Sequence, residues 1–455
     1  MRSLPLVSTD HQSHVSFVHI APYLRAALLL GSGGGFALAT VLTLSPLFGV
    51  PLGSWWRATV QTHGHLQLFG WAGLFVIGIA LYFLPRLRGI PLAQPVLLPW
   101  ILGVLVSSLL LRFLSQPLLV VTGWLFWKIV LVLSGVLEAL ALPAILLLLV
   151  QTTFHTSATK RSVEGIRSIA PFIFGAFLGL SLAGIVNVFN CVAALASSGL
   201  IPATGDEANT VLGLFGFLVP VALAMSSRML PLYTRIQPFP TPLLRILAFA
   251  YFGGVIFWLL SLFLPEISLL KGLGLLLIGM VMLIFTGYFL YLIRHRTHVP
   301  HNVSVPQSET MAERTRQGRH EELHKYGPYV ALIGSAYLWG SLGALLLVID
   351  AIALFRFQTL PITIDAIRHS FAAGFITLLL CGIAIRMIPG FSRKAIRSPK
   401  LVTATLLLGN LAALLRVGPL LLTPILPGAA LFFALSGPTG LVVVLCFTVN
   451  LWPAL

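Results

Sequence analysis

The chain contains twelve apolar runs, each of about 20 residues or more and so long enough to cross roughly 30 Å of hydrocarbon as an α-helix. In lipid every backbone polar group must be satisfied inside such a helix. With 58% hydrophobic and only 9% charged side chains, the 455 residues cannot cover the surface of a water-soluble domain. The sequence therefore predicts an all-α polytopic membrane protein and excludes soluble enzymes and soluble nucleic-acid binders. The predicted spans are 24–48, 63–85, 94–114, 120–149, 168–196, 208–231, 243–264, 268–293, 327–354, 366–389, 400–422 and 428–452.

Lys and Arg are unevenly distributed over the segments that connect these spans. Most lie in segments that follow even-numbered helices, around 86–88, 160–167, 235–245, 294–325 and 393–400. Segments that follow odd-numbered helices contain only Arg57, Lys271, Arg356 and Arg368. By the positive-inside rule both termini are predicted to be cytoplasmic. The net charge of +16 is then an orientation signal, and the expected partners are membrane lipids rather than nucleic acid.

Residues 294–326 differ from the rest of the chain because they are polar and show no periodicity. We interpret them as a flexible cytoplasmic linker within a single integral membrane domain. The segment holds five histidines without metal-ligand spacing, which favours solvated residues over a metal site.

An internal repeat relates HLQLFGWAGLFVIGIALYFLP (65–85) to HSFAAGFITLLLCGIAIRMIP (369–389) without gaps. The identical pairs are His65/His369, Gly70/Gly374, Leu74/Leu378, Gly78/Gly382, Ile79/Ile383, Ala80/Ala384 and Pro85/Pro389. A weaker third copy spans 211–231 and has Val211 in place of the histidine. We predict three pseudo-repeats of four helices, roughly 1–150, 151–293 and 327–455, with the repeated segment on the second, sixth and tenth helices.

Two histidines and two arginines occupy matching positions in this repeat. His65 and His369 lie at the outer ends of their helices, and Arg112 and Arg416 each follow their repeat's proline by 27 residues. Ionisable residues inside a membrane are costly and are functional candidates. Imidazole nitrogens are axial ligands for haem iron, and arginines pair with carboxylates such as haem propionates. The pattern predicts a bis-histidine haem near the outer face; hydrogen-bonded histidines and arginines that reach the headgroups are the alternative.

Three neighbouring residues complete the predicted site. Gly70 and Gly374 follow the histidines by five residues and would let a flat macrocycle, or simply another helix, approach closely. His63 precedes His65 by two residues, which turns its side chain by about 200° on a helix. It is therefore predicted to be either an interfacial residue or part of a second metal or haem site. No CxxCH motif is present, so the haem is expected to be b-type.

These motifs resemble the main subunit of haem-copper oxidases and nitric oxide reductases, in which histidines on the second and tenth helices hold a low-spin haem. By that resemblance the ligands are His65 and His369. The spans 208–231 and 243–264 lack the histidines of that superfamily's copper site. A closer resemblance, on HGHLQLFGWAG, LFGFLVPVALAMSSRMLP and GIAIRMIPGFSRK, is to the NnrS family. It implies a haem- and copper-containing protein of the bacterial inner membrane that acts in the nitric oxide response. Copper has no complete ligand set in this sequence.

Two other functions stay open from the sequence. One is a membrane cytochrome that accepts electrons from quinol. The other is a twelve-helix transporter without haem, although transporters usually repeat units of five or six helices with broken segments at the midplane. The sequence assigns no catalysed reaction and no catalytic residue.

Overall fold

The computed structural model describes residues 15–154, 166–234, 236–295, 320–423 and 425–455. Within these ranges the chain is helical without strands, and twelve helices, here α1 to α12, are long and apolar enough to cross a membrane. The all-α, multi-pass membrane architecture predicted from the sequence is therefore confirmed. In order, the helices are Phe17–Leu44, Ser54–Arg88, Pro95–Thr122, Leu125–Phe154, Ala170–Ala196, Ala203–Pro231, Thr241–Phe263, Ser268–Arg294, Tyr329–Phe357, Ile364–Ser392, Pro399–Leu422 and Leu431–Ala454.

Two helices begin earlier than hydropathy predicts. The hydroxyl of Ser16 caps α1 by accepting from the Val18 backbone N–H at 3.4 Å, ahead of the predicted start at residue 24. The first three turns of α2 have the sequence SWWRATVQTHGH. They are so polar that hydropathy placed the start of the helix only at residue 63. They remain helical because neighbouring helices bury Thr59, Thr62 and His65. Of the predicted linker, 296–319 lie outside the described residues, and 320–326 are helical.

Three helices form the centre of the bundle. In their most apolar stretches α2, α6 and α10 are 83%, 83% and 78% buried, against 28–50% for the other nine described spans. They contact one another directly: Phe215 of α6 meets Phe371 of α10 with ring centroids 5.1 Å apart. Trp71 of α2 donates to the Thr377 hydroxyl of α10 at 3.5 Å. These are the three helices that carry the repeated segment.

The other nine helices surround this centre in sequence order. Helices α3, α4 and α5 pack consecutively, as do α7, α8 and α9, while α11 packs on α12 and α12 on α1. Three gaps between central helices result. The first lies between α2 and α6, the second between α6 and α10, and the third between α10 and α2, where α11, α12 and α1 close it.

Each central helix widens into a π-helical segment at the same place in the repeat. The segments are Leu66–Gly73, Val211–Leu218 and Ser370–Ile376, and they begin directly after His65, Thr210 and His369. A fourth such segment, Gly31–Phe36, interrupts α1. π-Helical turns are rare and occur frequently at functional sites, so these segments point to the halves of α2 and α10 that carry His65 and His369 and to the adjacent stretches of α1 and α6.

Candidate functional site

The third gap encloses a cavity of about 340 Å³, here called the histidine cavity. Small-molecule sites usually enclose 300–1,000 Å³ and combine apolar walls with a few polar groups. Apolar side chains from α1, α2, α6, α10, α11 and α12 form most of its wall. Its ionisable lining residues are His63, His65, Arg112, Asp206, Asp365, Arg368, His369 and Arg416. Three arginines against two aspartates leave the wall cationic before any histidine is counted.

His63 is fixed in this cavity by the backbone of α1. Its Nδ1 donates to the Gly35 carbonyl at 2.8 Å. Gly35 lies in the π-helical segment GSGGGF, and a Cβ there would stand 3.0 Å from the Gln67 side-chain amide, which would have to shift by a few tenths of an ångström. With the proton on Nδ1, the Nε2 lone pair is available, and among the described residues it has no hydrogen-bond partner.

His369 is fixed in a similar way by its own helix. Its Nδ1 donates to the Asp365 carbonyl at 2.9 Å and lies 3.0 Å from the Asp365 carboxylate, one turn earlier. Arg416 donates to the other carboxylate oxygen at 2.7 Å. The His369 Nε2 thus has no partner in the part of the chain that the structure describes. His369, Arg416 and Asp365 line the same cavity as His63.

His65, in contrast, uses both ring nitrogens. Nδ1 accepts from the Asn209 side-chain amide at 3.3 Å, so the proton lies on Nε2, which donates to Glu138 Oε2 at 2.8 Å. His65 is 4% exposed and Glu138 is fully buried. No lone pair on His65 is left for a metal unless one of these hydrogen bonds breaks.

Arg112 belongs to the same buried cluster as His65. It is 1% exposed and donates to the side-chain oxygen of Asn187 at 3.0 Å. The side-chain NH2 group of Asn187 in turn donates to Glu138 at 2.9 Å. Asn187 therefore bridges a buried cation and a buried anion. Arg112 also donates to Gln116 at 2.8 Å. These contacts tie α3, α4 and α5 to α2 across the first gap.

The residues that the repeat made equivalent belong to different hydrogen-bonded groups in the structure. His65 and Arg112 are connected through Glu138 and Asn187, whereas His369 and Arg416 share Asp365, and all four side chains line the histidine cavity. Three similar units arranged around one centre thus give matching side chains different hydrogen-bond partners. The axial pairing of His65 with His369 stays a prediction, and the hydrogen bonds favour His63 as the partner of His369.

The two glycines of the predicted site are helix-packing positions in this structure. A Cβ on Gly374 would stand 2.5 Å from Trp339 of α9, and one on Gly70 would meet Leu30 of α1 at 3.6 Å. Neither residue lines the histidine cavity. Their predicted contact with a macrocycle stays untested.

Several polar residues of the first gap were not singled out from the sequence. Gln116, Asn187 and Asn209 are buried inside otherwise apolar helices, and that placement was the available signal. Arg368 and Asp206 line the histidine cavity and were not singled out as site residues. Arg368 directly precedes His369, whereas nothing in the sequence connects Asp206 with either histidine.

No group of three His, Cys, Asp or Glu residues that could hold a metal ion occurs among the described residues. Copper therefore stays a prediction without a ligand set. No protein-family model matches the chain, and no curated protein matches it. The resemblance to NnrS proteins consequently depends on the quoted motifs alone.

Proposed function

We propose that this protein is an NnrS-like, haem-binding membrane protein that acts in the response to nitric oxide or its metabolism. The observation that carries the proposal is the pair His63 and His369. Both line one cavity, both donate from Nδ1 to a backbone carbonyl, and both keep an unprotonated Nε2 without a protein partner. A histidine that binds a metal through one nitrogen usually donates from the other in this way.

The lining of the cavity is chemically suited to a haem. Trp71, Phe36 and Phe433 supply aromatic walls, and Ala412 and Ala413 of α11 add small apolar side chains. Arg416 lies over the Phe433 ring at 4.3 Å, and its buried Nε has no hydrogen-bond partner. A haem carries two carboxylates, and Arg416 and Arg368 are the lining cations suited to them.

In this arrangement each residue has a defined task. His63 and His369 would hold the haem iron, the Gly35 carbonyl and Asp365 would orient their rings, and Arg416 would connect Asp365 to a haem carboxylate. Arg112 already donates to three side chains of the first gap, so its predicted contact with a propionate is less favoured. A haem held by two histidines would supply one-electron transfer.

Localisation follows from the charge pattern. The excess of Lys and Arg in segments after even-numbered helices supports cytoplasmic termini and an outer position for the histidine cavity. The NnrS resemblance supports the bacterial cytoplasmic membrane. A quinol as electron donor belongs to the alternative proposal, a membrane cytochrome.

The experiment is a reduced-minus-oxidised absorption spectrum of purified wild type and of His63→Ala, His65→Ala and His369→Ala, with haem measured as its pyridine complex. We expect a low-spin b-type spectrum that is lost in His63→Ala and His369→Ala and kept in His65→Ala. Loss in His65→Ala with retention in His63→Ala would restore the pairing expected from the repeat. Colourless wild-type protein from haem-replete cells would overturn the proposal and favour the transporter.

A further inference from the structure

A second cavity lies among α2, α6 and α10, towards the helix ends that carry Pro85, Pro231 and Pro389; we call it the central cavity. Its volume is about 90 Å³, and every lining side chain is apolar. Each central helix contributes one alanine, Ala80, Ala222 and Ala384, and the small side chains leave the space open. Substrates with charge or hydrogen-bonding groups would find no partner there.

The central cavity adjoins the histidine cavity. Leu218 and Ile376 line both cavities, and they are only 2% and 4% exposed. They are the last residues of the π-helical segments of α6 and α10. The side chains of Leu218 and Ile376 therefore lie between the central cavity and the histidine cavity.

We propose that the central cavity binds a small, uncharged, apolar molecule of the size of a diatomic gas and delivers it between Leu218 and Ile376 to the histidine cavity. A buried water needs two to four polar partners, and apolar cavities stay dry and take up xenon or small hydrocarbons. The cavity is smaller than the roughly 150 Å³ of an engineered apolar cavity that binds benzene or xenon, so an occupant of the size of a diatomic gas suits it. Binding in the cavity does not depend on haem, whereas delivery rests on the proposed function.

The binding step is tested with xenon. Crystals of the full-length wild-type protein are pressurised with xenon, and the gas is located by anomalous diffraction. We expect a xenon site in the central cavity of wild type, its loss in Ala222→Phe and reduced occupancy in Ala384→Val. The matched control is Ala331→Phe on the exposed face of α9, which should keep the site. An empty central cavity in pressurised wild-type crystals would overturn the proposal, whatever the haem content.

The delivery step is tested by stopped-flow association of nitric oxide with the reduced, haem-loaded protein. Ala222→Phe should slow association several-fold, Leu218→Ala should accelerate it, and Ala331→Phe should leave it unchanged. Xenon binding together with equal rates in all four proteins would establish the site and overturn the route. Protein without haem would refute the proposed function and leave the xenon result standing.

Discussion

His63 and His65 show how two residues on one helix can belong to different sites. A separation of two residues turns a side chain by about 200°, so α2 directs His63 towards α1 and α10 and His65 towards α4 and α6. The sequence predicted that these two histidines could not both bind the same iron. It could not show which of them faces His369, because the answer depends on the Gly35 carbonyl and the Glu138 carboxylate, which come from other helices.

The cluster around Asn187 can be tested as a unit. Glu138→Ala removes the acceptor of His65 and Asn187 and leaves Arg112 buried in a cluster without a carboxylate; an uncompensated buried charge costs about 3–5 kcal/mol. Arg112 and Glu138 both hydrogen-bond to Asn187. The double variant Glu138→Ala/Arg112→Ala should therefore lose less free energy of unfolding than the sum of the two single variants, by roughly 0.5–3 kcal/mol. The measurement is reversible unfolding in mixed micelles.

The control for that cycle is Leu140→Ala, two residues from Glu138 on α4 and 63% exposed at the outer surface of the bundle. It should change the free energy of unfolding little and add independently to Arg112→Ala. Strict additivity of Glu138→Ala and Arg112→Ala would show that the two charges are not coupled through Asn187.

At the scale of the helices, glycines set how closely the central helices approach their neighbours. Gly78 and Gly382, identical in the repeat, lie against the first helix of their own units: added Cβ atoms would stand 2.9 Å from Tyr23 and 2.8 Å from Ile333. The sequence offered helix packing as the alternative for the repeated glycines Gly70 and Gly374, and the geometry of Gly374 agrees with that alternative.

Gly374→Ala should therefore act on packing rather than on a cofactor. Its new methyl group would overlap Trp339, and overpacking of this kind costs about 1–3 kcal/mol. Gly334→Ala on α9 is the matched control, since nothing lies within 4 Å of the added Cβ and the lost backbone freedom should stabilise by roughly 0.5–1 kcal/mol. Thermal unfolding should separate the two variants, while the haem spectrum of both stays that of wild type. A shifted spectrum in Gly374→Ala would instead support a glycine contact with the macrocycle.

For the whole molecule, the apolar runs predicted the number and order of the helices because a membrane span has a fixed minimum length. The starts of α1 and α2 were placed too late. In α2 the first turns are polar and buried by other helices, and such turns carry no hydropathy signal, whereas in α1 the Ser16 cap starts the helix ahead of Pro22. The repeated segment lies on the three helices that are central in the structure, a position that the sequence did not predict. The repeat could not give side-chain partners, because the matching residues His65 and His369 bond to acidic residues at non-matching positions, Glu138 and Asp365.

The orientation of the whole bundle is the last prediction. Helix α10 has 29 residues and separates the α9–α10 connection from the α10–α11 connection by about 40 Å. Leu360→Cys, 45% exposed in the first, and Ala395→Cys, exposed in the second, report on opposite faces. The native Cys191 and Cys381 are buried and Cys446 is half-buried, so wild type serves as the background.

The expected labelling follows from the basic residues at the second connection, Arg393, Lys394, Arg397 and Lys400. A membrane-impermeant maleimide should label Leu360→Cys in spheroplasts and Ala395→Cys only after permeabilisation. The reverse pattern would place the histidine cavity at the cytoplasmic side and remove the charge argument for its outer position.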